Sequence, residues 1–173
     1  TAAYYVMRAA RQGFLAFSAT NVEPDVVPYG GAVPALGTNP FAFAAPAPKG
    51  LFVLDMATSH VAMGKIFLAR EKGVSIPDNW AVDKEGKPTT DPHEAVAALP
   101  LGGPKGYALA LLVEILCGVF TGSGITMSIG RMYDHWDRPQ DVGSFFMAFD
   151  PERTIGRESF MARMGILWDG LKA

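Results

Sequence analysis

Apolar and polar positions alternate in short blocks along this chain, and the blocks switch between a strand period and a helix period. Residues 14–19, 41–45 and 51–54 are compact apolar runs bounded by glycine or proline, which predicts buried strands. Residues 144–149 predict a further strand rich in aromatics, and residues 80–82 with Lys84, Glu85, Gly86 and Lys87 predict a short strand and turn. The opening residues place Tyr4, Tyr5, Ala9 and Ala10 on one face of a helix closed by Gly13. Thr58 or Ser59 is expected to cap a helix through Val61, Lys65 and Leu68 that Gly73 ends. Asp91, Pro92 and Glu94 match a capped helix start, while residues 108–120 and 158–171 read as an apolar and an amphipathic helix. Strands interleaved with helices predict an α/β layered domain. A Rossmann unit fits poorly, because the first strand leads into a loop holding Asn21, Pro24, Pro28, Gly30, Gly31 and Pro34 where a glycine fingerprint and helix would stand.

Composition narrows the class. A length of 173 residues suits one sizeable core, so a single domain over residues 1–173 is expected, and 49% hydrophobic residues exclude a disordered tail. The net charge of -2 is spread out with no lysine and arginine block, which removes the footprint of a nucleic-acid or acidic-membrane binder. Cys117 is the one cysteine, so an intrachain disulfide is excluded and a reducing cytoplasm is the expected setting. The chain starts without methionine and enters a helix already under way, which reads as a piece of something longer.

Three places carry candidate chemistry. Gly102, Gly103, Pro104, Lys105, Gly106 and Tyr107 open the apolar helix with a lysine among glycines. Free amides, close backbone approach and the helix dipole suit an anion there, although Pro104 also fits a plain loop-to-helix junction. The second place is Asp55, Met56 and Ala57, where a buried strand ends in a carboxylate directly before a helix. Ligands gather at such strand ends, and the alternative is that Asp55 and Thr58 cap the helix. The third is Gly37, Thr38, Asn39 and Pro40, a turn whose Asn39 amide suits a substrate carboxylate, or which simply turns the chain. His60, His93 and His135 lack partners at useful spacing, and no zinc-ligand spacing occurs, so neither a histidine base nor a metal is assigned. Glu114 sits in the apolar run with its direction undecided, and Asp134, Asp137, Arg138 and Asp141 read as a solvated loop.

The segments Gly37-Thr38-Asn39-Pro40, Asp55-Met56-Ala57-Thr58, Ser75-Ile76-Pro77-Asp78 through Asp83, Thr89-Thr90-Asp91-Pro92, Gly103-Pro104-Lys105-Gly106-Tyr107, Met132-Tyr133-Asp134 and Gly143 resemble, in order, the type-2 malate/L-lactate dehydrogenase family. The resemblance implies a non-Rossmann NAD(P)-binding domain with a mixed sheet flanked by helices, acting as a homodimer. It implies hydride transfer between the nicotinamide of NAD, or NADP, and a small 2-hydroxy acid. (S)-Ureidoglycolate, oxidised to oxalurate, is the substrate expected first, and malate, lactate or sulfolactate are alternatives. A silent cofactor-binding or dimerisation module is the reading from another class. By motif, Val22, Asp55, Met56, Ala57 and Lys105 would contact the dinucleotide and Asn39 the substrate. Val22 departs from a serine expected in the family, which leaves only backbone contact at that position. The family's His-x-Gly base and its substrate-binding arginine and histidine have no counterpart in these residues, so this chain is expected to be a nucleotide-binding portion without the catalytic base. A second phosphate, as in NADP, would need a cation, for which Arg8, Arg11, Lys65 and Arg70 are the candidates.

Overall fold

The structure, a computed structural model, describes residues 2–132, 134 and 136–172, so Tyr133 of the resemblance and His135 lie outside the described residues. In chain order the elements are α1 (Ala3–Arg11), β1 (Leu15–Thr20), β2 (Phe41–Ala47), β3 (Gly50–Met56), α2 (Met63–Lys72), β4 (Ala81–Val82), β5 (Pro88–Thr89), β6 (Ala97–Ala98), α3 (Pro104–Glu114), β7 (Ser144–Phe149) and α4 (Arg157–Gly170). The core expected from length is divided between two compact units. One holds residues 1–18, 41–56 and 146–173, the other residues 19–40 and 57–145.

The first unit is built on a four-stranded sheet in the order β3-β2-β1-β7, with β2 and β3 antiparallel and Phe43 opposite Leu54. Alternation along β2 puts Ala42 and Ala44 on one face, and these small side chains let α1 lie close, burying Val6 and Ala10 against them. Tyr4 and Tyr5 were expected on that face, but both are more than half exposed. The i, i+4 pair Val6 and Ala10 forms the seam instead, because bulkier rings do not fit against two alanines. Phe17 stacks on Phe41 with ring centres 5.8 Å apart. The amphipathic reading of residues 158–171 fares less well, since α4 buries no residue.

The second unit carries a three-stranded antiparallel sheet in the order β5-β4-β6. Its faces alternate as the pleat requires. Ala81 and Ala98 pack with Ile66 and Ala69 of α2, whereas Val82 and Ala97 pack with Val27. α2 ends at Gly73 as expected, with φ 62°, but its start differs. Neither Thr58 nor Ser59 caps it: the Thr58 hydroxyl donates to the Thr38 carbonyl at 3.0 Å, and the Ser59 hydroxyl donates to the Val61 carbonyl at 2.8 Å. The helix begins after Ala62, with no side-chain cap. The helix expected after Asp91 is a turn, in which the Asp91 carboxylate accepts from the His93 amide at 2.8 Å. The cause is Arg70, whose guanidinium donates to the carbonyls of Pro92 and Ala95, while residues 97–98 are drawn into the sheet. α3 starts with Pro104 in its first turn and continues into a π-helical turn, Ile115–Val119.

Candidate functional site

Three segments that carry candidate residues lie side by side in the second unit. The Thr58 amide donates to the Thr38 carbonyl at 2.9 Å, and the Leu101 amide donates to the Thr58 carbonyl at 2.9 Å. The Gly106 amide then donates to the Leu101 carbonyl at 2.8 Å. This backbone relay joins the segment before Asn39, the segment opened by Ala57 and the first turn of α3 that holds Lys105. Two glycines are required by it. Gly103 has φ 66°, and a Cβ would sit 3.1 Å from the Tyr29 ring; at Gly106 a Cβ would overlap the Leu101 carbonyl.

Lys105 is exposed at the start of α3, and neither its ammonium nor its amide has a partner among the described residues. A lysine in a first helical turn opposes the helix dipole. The pairing makes sense once an anion is present to use both, so this donor set fits a phosphate group. Asp55 and Met56 end β3 in the first unit; Asp55 is exposed and its carboxylate meets no donor among the described residues. The bland alternative, that Asp55 and Thr58 cap α2, is excluded by the Ala62 start.

Asn39 is placed differently from its expected role. It is fully buried with φ 34°, and its Nδ2 donates to the Ala110 carbonyl at 3.0 Å and to Glu114 Oε2 at 2.9 Å. Its Oδ1 accepts from the Val22 amide at 3.3 Å. Both Nδ2 protons and one lone pair of Oδ1 are engaged, and the side chain ties α3 to Val22. The Val22 amide is likewise engaged, while the residue itself lines a cavity of about 560 Å³. Thr38, Phe67, Arg70, Asp25 and Arg131 stand on the same wall set. Of Arg8, Arg11, Lys65 and Arg70, only Arg70 lines this cavity. Burial and the neighbouring Glu23 raise the Asp25 carboxyl above its usual range, against the opposing pull of Arg131.

Some site features had no signal in the sequence. Asn21 is buried, donating to the Gly124 carbonyl at 2.9 Å and accepting from the Gly143 amide at 2.8 Å, so it braces distant loops. Glu114, undecided by periodicity, points inward. The His60 and His93 backbones are held by Leu99 and Asp91. Among the described residues no group of histidine, cysteine, aspartate and glutamate is arranged to hold a metal, and no helix is long and apolar enough to cross a membrane.

The profile of the malate/L-lactate dehydrogenase family matches residues 1–173. The chain belongs to the malate/L-lactate dehydrogenase family. Among family members, an NAD(+) ureidoglycolate dehydrogenase of Escherichia coli (strain K12) is 43% identical over 91% of this chain and 45% of its own length. L-sulfolactate dehydrogenase of Methanocaldococcus jannaschii is 42% identical over 99% of this chain and 50% of its own. The solved structure of sulfolactate dehydrogenase from Methanocaldococcus jannaschii superposes with TM-score 0.88 at 41% identity, covering 97% of this chain and 49% of that one. The α/β fold expected from the sequence is thus the family's fold. The chain spans about half the length of these family members.

Proposed function

We propose that this chain is the NAD(P)-holding portion of a 2-hydroxy acid dehydrogenase, with (S)-ureidoglycolate the first substrate to test. The observation that carries the reading is Lys105: a free ammonium and a free amide in the first turn of α3, tied by backbone hydrogen bonds to the segment that starts at Ala57. The diphosphate of the dinucleotide lies at that turn, bound by a charge-assisted contact from Lys105 and by the exposed amide. Val22 contributes a wall of the cavity that Thr38 and Arg70 also line, and the resemblance adds Asp55, Met56 and Ala57 as contacts. When bound, the nicotinamide supplies hydride chemistry. The chain's own residues bind and orient it. The proton transfer is assigned to no residue of this chain; the use of NAD belongs to the same reading, supported by the NAD(+) ureidoglycolate dehydrogenase among the relatives, and homodimerisation rests on the family resemblance alone.

The test is a fluorescence titration of the chain with NADH. Lys105→Ala removes a contact of about 1.5–3 kcal/mol, a rise in Kd of roughly 10- to 150-fold. Unchanged affinity in the variant overturns the assignment. A substrate panel run on an active assembly containing this chain separates ureidoglycolate from malate, lactate and sulfolactate; binding without turnover of any of them favours the silent module.

A further inference from the structure

Two non-glycine residues of the second unit with backbone in the left-handed region, Asn39 at φ 34° and Thr126 at φ 49°, are held by the same carboxylate. Glu114 Oε2 accepts from Asn39 Nδ2 at 2.9 Å, and Glu114 Oε1 accepts from the Thr126 amide at 2.7 Å. Thr126 is β-branched, so its backbone is a strained one that persists only where the surroundings over-determine it. Glu114 itself is 4% exposed, in the apolar stretch that follows Tyr107, with Val113 and Cys117 buried beside it. Among the described residues no cation pairs with it; its two hydrogen bonds are its compensation.

We infer that Glu114 is a positioning residue: bridging Asn39 and Thr126, it fixes the Asn39 amide in the one orientation that receives the Val22 N–H, and so sets the Val22 wall of the cavity. The chain of contacts runs from Glu114 Oε2 to Asn39 Nδ2, and from Asn39 Oδ1 to the Val22 amide at 3.3 Å, with Ala110 taking the second Nδ2 proton. Both loops are thereby referenced to α3, the helix whose first turn carries Lys105. What meets the Val22 wall rests on the cofactor reading above; the clamp itself does not.

The test is Glu114→Gln. An amide has one acceptor oxygen and an NH2, so it faces one of its two donors with another donor and loses that contact. Hydrogen exchange read by NMR in the cofactor-free chain should show the amide on the lost side, Thr126 directly or Val22 through Asn39, exchanging about tenfold faster, the equivalent of one lost hydrogen bond. The Ile66 amide on α2 should keep its protection. Unchanged protection at Val22 and Thr126 overturns the inference, and so does loss at Ile66 in parallel, which marks general destabilisation. Glu114→Gln combined with Thr126→Gly keeps the test if the single variant folds poorly, because glycine adopts that backbone without strain; the amide of Val22 or of residue 126 should still exchange faster than in Thr126→Gly alone, and equal exchange at both refutes the clamp. In the NADH titration the Glu114→Gln chain should bind about tenfold more weakly. Weakened binding in Lys105→Ala with none in Glu114→Gln overturns the positioning role and leaves the cofactor reading standing. If the unaltered chain binds no NADH, the cofactor reading falls and the exchange data alone decide the clamp.

Discussion

Replacing Gly106 by alanine should destabilise the second unit, although glycine to alanine inside a helix ordinarily stabilises. The ordinary gain is about 0.5–1 kcal/mol, from lower chain entropy and better helix propensity. At Gly106 the added Cβ would overlap the Leu101 carbonyl and stand 2.5 Å from its nitrogen, and both are backbone atoms that cannot rotate away. Relief requires Leu101 to move, which strains its two hydrogen bonds, from the Gly106 amide at 2.8 Å and to the Thr58 carbonyl at 2.9 Å. Overpacking costs about 1–3 kcal/mol and the two hydrogen bonds about 1 kcal/mol each, so a net loss of about 2–4.5 kcal/mol remains after the propensity gain. For a chain of this size that is a drop in Tm of about 4–18 °C. Urea titration followed by circular dichroism should show a lower midpoint with an unchanged slope. Gly64 on α2 is the control, since a Cβ there meets nothing within 4 Å and Gly64→Ala should raise the midpoint slightly. A Gly106→Ala midpoint at or above the parent value refutes the steric argument, as does a shift of the same sign in both variants.

Asn21→Ala should cost about 2–4 kcal/mol, because it leaves the Gly124 carbonyl and Gly143 amide without partners inside the unit; a loss under about 0.5 kcal/mol in the same urea assay shows that water replaces the amide there. Cys117 yields a pH dependence: burial, partly offset by backbone hydrogen bonds at Phe145 and Asn21, raises its thiol from 9.0 to about 11. The folded chain therefore holds a proton that the unfolded chain releases, so the thiol's contribution is fully present below about pH 9 and is lost as pH rises towards about 11. Cys117→Ala should flatten stability over that window, and identical slopes in parent and variant would contradict the burial of the thiol.

What was legible in the sequence was local. β7 falls on Ser144–Phe149 as read, and the strands at residues 14–19 and 41–45 are shifted or lengthened by one or two residues, because apolar runs between glycine and proline specify themselves. The failures share a cause. Thr58 has the chemistry of a cap and Asp91 the setting of one, yet a distant acceptor takes the Thr58 hydroxyl, and a distant donor, Arg70, takes the carbonyls beyond Asp91. Local propensity proposes such caps, and non-local hydrogen bonds, 20 and 22 residues away in sequence, decide against them.

The candidate site follows the same rule at longer range. Asn39 reads from sequence as a polar group in a turn, open to a substrate; the structure gives residues 37–40 no turn or bend, only the positive φ of Asn39, and the amide faces Ala110 and Glu114, 71 and 75 residues further along the chain. A lone carboxylate in an apolar helix was the one hint that a buried polar partner exists, and nothing in the spacing named Asn39 as that partner. The motif residues thus divide by what their atoms do. Lys105 presents a side chain and an amide outward, whereas Asn39 and Thr58 spend their side chains inward to set where other backbones lie. A substitution at Lys105 acts directly on a bound anion. One at Asn39 acts through Val22, so its effect on binding should follow the protection of the Val22 amide and vanish wherever that amide stays protected.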